Sequence, residues 1–94
     1  MQNSQPNVIH NADRERFEVH LDSLTAELTY RLNGSTIIFT HTKVPSALEG
    51  RGIGSLLVKT GMEYAMKNKL KVQTLCWFVK GYLERHTEYQ NLMK

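Results

Sequence analysis

The chain has 94 residues, enough for one small domain with one core. Its 40% hydrophobic and 22% charged residues read as globular, which excludes a fibrous or disordered class, and no apolar run reaches membrane-spanning length. A net charge of +3, spread without a basic stripe, argues against a nucleic-acid binder. The single cysteine excludes an internal disulfide, and the four histidines show no metal-ligand spacing, so no metal is expected. The N-terminus lacks a signal-peptide core, so the expected location is cytoplasmic.

Residues 1–13 are polar and read as a flexible tail, with Val8 and Ile9 available to pair at a sheet edge. A single domain is expected over residues 14–94. Phe17, Val19 and Leu21 alternate with polar neighbours, which predicts a strand with one buried face. Asp22-Ser23 is a turn candidate. Leu24, Ala26, Leu28, Tyr30 and Leu32 give the cleanest alternation in the chain, and Asn33-Gly34 then signals a hairpin. A third strand is expected from residue 35 or 36 to about 44, ending at Pro45. Strict alternation along it would put Ile37, Phe39, His41 and Lys43 on one face and Ile38, Thr40, Thr42 and Val44 on the other.

Helical spacing begins at Ile53 and continues to about residue 68, with Ile53, Leu56, Leu57, Thr60, Tyr64 and Ala65 on one stripe. Gly61 weakens this helix by about 1 kcal/mol against alanine, and close packing on the sheet is the expected reason. Residues 70 to 76 read as a short strand parallel to the third. A second helix is expected from Trp77 to about residue 86, with Phe78, Val79, Tyr82 and Leu83 on one stripe. The order is β-β-β-α-β-α, an α+β class with an antiparallel meander and one parallel β-α-β crossover.

Between the third strand and the first helix lies Glu49-Gly50-Arg51-Gly52-Ile53-Gly54-Ser55. Glycines at 50, 52 and 54 allow sharp bending and close approach of a ligand. The following helix start offers unpaired N–H groups and a positive dipole end, a natural place for phosphate. Neither a Walker loop nor a Gly-x-Gly-x-x-Gly dinucleotide fingerprint fits the spacing.

The segment resembles the acyl-CoA loop of the GNAT acetyltransferase superfamily, Gln/Arg-x-x-Gly-x-Gly/Ala, with Gly52 and Gly54 in its glycine places. Glu49 stands where that pattern has Gln or Arg. The resemblance covers roughly residues 16 to 90 and implies a minimal GNAT-like fold with a splayed cofactor cleft. It implies acetyl-CoA or CoA as cofactor, held by Thr42, Val44, Arg51, Gly52, Ile53, Gly54 and Ser55. It also implies transfer of an acetyl group to an amine of a small molecule or protein. Larger members carry two helices between their first two strands, and here only Asp22-Ser23 separates those strands. The acceptor side is therefore expected to be open, or completed by a second copy or another partner.

Cys76, at the last strand's end, is read in three ways: a covalent acetyl carrier, a polar group orienting the acceptor, or an inert core thiol. Many members place a tyrosine in the second helix to protonate the leaving thiolate. Tyr82 matches about one residue early, with cysteine where asparagine is usual, and otherwise it is a core tyrosine. His41 is a candidate base if its strand borders the splay. The rival functions are a non-catalytic CoA-binding module and an interaction protein.

Overall fold

The computed structural model of the protein describes residues 6–93. Five strands form one sheet in the order β1 (Ile9–Asn11), β2 (Arg16–Leu21), β3 (Leu24–Asn33), β4 (Thr36–Lys43) and β5 (Lys71–Thr74). β1 to β4 pair antiparallel, and β5 runs parallel to β4. The helices are α1 (Ile53–Lys67), in the crossover between β4 and β5, and α2 (Trp77–Arg85), after β5. The α+β class and the order of the main elements agree with the alternation and helical spacing of the sequence.

The tight connections follow from turn chemistry. Asp22 and Ser23 both have positive φ, 54° and 64°, the geometry of a two-residue hairpin turn that follows the strand twist. Asn33 still pairs with Thr36, so the second turn is centred on Gly34-Ser35, with only Gly34 at positive φ. Residues 1 to 5 of the expected tail lie outside the described residues. Ile9–Asn11 are a strand on the edge of β2, so the sheet starts before the expected boundary at 14. The reason is side-chain anchoring: His10 stacks on Phe17 with ring centroids 4.3 Å apart, and its Nε2 lies 2.5 Å from the Tyr30 hydroxyl.

One sheet face carries Phe17, Val19, Ala26, Leu28, Tyr30, Ile37 and Phe39, all buried. α1 packs across it with Ile53, Leu57, Val58, Gly61, Met62 and Ala65. Its buried stripe is thus rotated from the expected one: Leu56, Thr60 and Tyr64 are only half-buried flanks. Gly61 sits against the sheet as expected, since a Cβ there would lie 2.9 Å from the Phe39 ring.

On the other face, Glu18 is a buried carboxylate with its partners in place. Arg16 pairs with it, Asn11 Nδ2 donates to it at 3.1 Å and His20 Nε2 lies 2.9 Å away. Arg16 and these hydrogen bonds hold its pKa near about 2 against an ordinary 4.5. A depressed carboxylate stabilises the fold above the unfolded pKa and loses that contribution as pH falls through the folded one. The full shift corresponds to about 3 kcal/mol, and solvent around Arg16 and His20 reduces this to about 1–2 kcal/mol. Urea unfolding from pH 6 to about pH 2 should show a stability loss beginning near pH 4.5 that Glu18→Gln largely removes. An unchanged pH dependence in that variant would place the acid sensitivity elsewhere.

One correction concerns β4. Leu28 pairs with Thr42 and Thr29 with His41, but Tyr30 pairs with Phe39, leaving Thr40 as an extra residue. This bulge shifts the alternation by one position. His41 and Lys43 therefore leave the face of Ile37 and Phe39 and are exposed, while Thr42 takes the inner side.

Candidate functional site

β4 and β5 run side by side only as far as Phe39 and Thr74. A last bond, from Leu75 N–H to the Phe39 carbonyl at 2.9 Å, closes the ladder. β4 then continues to Lys43 without a β5 partner, so the two strands open apart. The short β5 and the Thr40 bulge together create this gap.

A cavity of about 460 Å³ lies between the open end of β4 and the start of α1. Thr42 and Val44 form one wall, Leu48 to Ser55 (Arg51 excepted) a second, and Phe78 from α2 a third. Gly52 caps α1 in the left-handed conformation, with φ 75°, and no side chain caps the helix. The first helical bond runs from Leu56 N–H to the Gly52 carbonyl at 3.0 Å. The N–H groups of Ile53, Gly54 and Ser55 thus have no carbonyl of their own helix to meet. Gly54 brings the backbone under Phe78, whose ring would lie 2.9 Å from an added Cβ.

Six of the expected cofactor residues, Thr42, Val44, Gly52, Ile53, Gly54 and Ser55, line this one cavity, and Arg51 does not. Arg51 is half exposed and lies 3.4 Å from Asp22 of the β2–β3 turn. Glu49 lines the rim and sets a carboxylate there. The lining fits an extended ligand with phosphate at one end. Unpaired N–H groups and the positive helix end suit the phosphate, and the free backbone of β4 suits an amide chain.

The candidate catalytic residues separate. Cys76 is the residue before α2, and its Sγ lies 3.4 Å from the Thr42 hydroxyl. Burial pushes the thiol up, but the Thr42 hydroxyl and the backbone at Val79, Phe78 and Thr42 outweigh it, leaving the pKa below the ordinary value. The side chain forms no formal helix cap, so this is a field of nearby donors. Tyr82 is buried on the inner side of α2, stacked on His86 at 3.9 Å, and lines neither this cavity nor the smaller one beside Cys76. Burial pushes its hydroxyl up, as do the nearby Tyr89, Glu88 and Glu63. His41, turned by the bulge, does not face the cavity.

Phe78 escaped the sequence reading, which assigned it to the buried stripe of α2. The signal was Leu75-Cys76-Trp77-Phe78, more consecutive apolar residues than one face of a short helix can bury. Leu75 and Trp77 are 76% and 85% exposed, and Phe78 covers the cavity.

The antiparallel meander, the crossover through α1 and the strands that part beyond it define the N-acetyltransferase class of α+β folds. A family model described as GCN5-related N-acetyl-transferase matches residues 16–92, and the chain belongs to that family. Among curated relatives, Protein NATD1 of Xenopus tropicalis is 34% identical over 82 residues, covering 84% of this chain and 75% of that protein. Protein NATD1 of Homo sapiens is 33% identical, covering 84% and 73%. A GCN5-like protein of Staphylococcus aureus, solved by NMR, superposes with a TM-score of 0.74 at 33% identity, covering 96% of this chain and 89% of that one. Among the described residues no helix is long and apolar enough to cross a membrane.

Proposed function

We propose that the protein is an acetyl-CoA-dependent N-acetyltransferase. The observation that carries this reading is the convergence of the free α1 N–H groups and the open end of β4 on one cavity, whose wall residue Thr42 in turn touches Cys76. The N–H groups of Ile53, Gly54 and Ser55 would hold the pyrophosphate, and the backbone of Thr42 and Val44 would pair with the pantetheine amides. When bound, the cofactor supplies a thioester: an uncharged amine nitrogen bonds to its carbonyl carbon, the carbon–sulfur bond breaks, and a proton moves from nitrogen to sulfur.

Cys76 is the group that moves this proton. Its Sγ gives a proton to the departing sulfur. The thiolate left behind is stabilised by the Thr42 hydroxyl and the backbone at Phe78 and Val79, the same contacts that lower its pKa. It then takes the proton that the nitrogen releases. Tyr82, buried in the packing of α2, and His41, exposed on the outer side of β4, line neither cavity and take no part in this step.

Calorimetric titration with acetyl-CoA, followed by intact mass, tests the reading. Micromolar binding, thiol release with an added amine and no mass change are expected. A single acetyl adduct abolished by Cys76→Ala would replace proton transfer with a covalent cysteine route. Binding without turnover would leave a CoA-binding module, and no binding would remove the cofactor altogether.

A further inference from the structure

A second cavity, of about 230 Å³, is lined by Thr74, Leu75, Cys76, Trp77 and Lys80. Cys76 of this lining touches Thr42 of the first cavity's wall at 3.4 Å. Its contents are chemically one-sided. Lys80 Nζ stands 5.6 Å from the Trp77 ring centroid, and none of the lining residues is a carboxylate. Thr74 is already engaged: its hydroxyl accepts from Cys76 N–H at 3.0 Å and lies 3.2 Å from the Phe39 carbonyl. A guest therefore meets an aromatic face, the Leu75 side chain, a thiol and a single cation.

We propose that this cavity is the acceptor subsite and that it selects a small amine carrying its own carboxylate. This rests on the N-acetyltransferase reading above. Lys80 attracts the carboxylate and disfavours acceptors whose only charges are positive. Trp77 and Leu75 bury the carbon skeleton between the charged ends, which explains why two large apolar side chains stand exposed beside a site. The acceptor nitrogen then points to Cys76, which touches Thr42 of the first cavity. The two-residue turn at Asp22-Ser23 supplies no helices that would cover an acceptor, so recognition must come from residues such as these.

Trp77 is the chain's one tryptophan, so its fluorescence reads the cavity directly. The protein, with and without CoA, is titrated with N-acetylglycine and with N-acetylglycinamide, which differ in the carboxylate. The carboxylate compound should bind at least about fivefold more tightly, and Lys80→Gln should erase the difference without changing the melting temperature. Equal affinities, a difference that survives Lys80→Gln, or no response to either compound would overturn the proposal. CoA affinity is measured separately by calorimetry. Its loss alongside intact carboxylate discrimination would refute the cofactor reading, and the reverse pattern would refute only the acceptor subsite.

Discussion

Gly61→Ala lowers the stability of the protein and Gly81→Ala raises it, although both replace a glycine inside a helix. In each case alanine gains about 1 kcal/mol of helix propensity. At Gly81 the nearest foreign atom to a new Cβ is the Arg85 guanidinium at 3.5 Å, an ordinary contact with a flexible group. The gain there survives. At Gly61 the new carbon lies 2.9 Å from Phe39 Cε1, 3.0 Å from Cζ and 3.2 Å from Leu28 Cδ2. Both side chains are fully buried and cannot swing away. Overpacking of this kind costs about 1–3 kcal/mol, and with two rigid contacts at the upper end of that range the net loss reaches about 2 kcal/mol once propensity is subtracted. For a chain of this size a loss of about 2 kcal/mol is a fall in Tm of roughly 8–16 °C. Thermal melts and urea titrations of both variants check the sign. A Gly61→Ala protein more stable than the parent would mean that the α1–sheet contact is looser than these distances indicate.

If the proposed acetyl-CoA site is right, Gly52→Val should weaken binding by about a hundredfold or more, while Arg51→Ala should change it less than about threefold. The contrast separates backbone from side chain. Gly52 stands at φ 75° with open space where a Cβ would be, so conformation and not volume excludes other residues. A β-branched residue avoids this region, and the chain would turn away from it to negative φ. That re-aims the N–H groups of Ile53, Gly54 and Ser55. Each hydrogen bond to a charged group contributes about 1.5–3 kcal/mol, and losing two already exceeds a hundredfold. Arg51 is half exposed, turned toward Asp22 and absent from the cavity wall. Calorimetry on both variants, with a melt to confirm folding, gives the comparison. Equal losses would assign the phosphate to the arginine and not to the helix start.

Much of the fold could be read from residue type alone. Alternation placed β2 and β3, paired turn residues placed the first hairpin, and a glycine run before an amphipathic segment placed the start of α1. Gly61 carried its own message, because a helix breaker in the middle of a helix asks for a close neighbour. The site was less legible. Thr-His-Thr at 40 to 42 looks like any alternating strand, and the extra residue at Thr40 leaves no mark in composition. Tyr82 sat near the family's position for a proton donor, but burial against His86 and Tyr89 is a property of the packed C-terminus. His10 looked like part of a polar tail because its partners, Phe17, Tyr30 and Tyr64, are distant in the chain.

The bulge at Thr40 makes the cleft sensitive to arithmetic as well as chemistry. Removing that one residue would leave the same pairs in a regular ladder and Thr42 still inward, whereas a strand of the present length without the bulge would turn an imidazole inward where a hydroxyl now meets Cys76. What the cleft presents is therefore encoded in where the strand carries its extra residue, not only in which side chains it holds. A library of substitutions samples different side chains on faces already assigned. Only insertions and deletions sample the assignment itself.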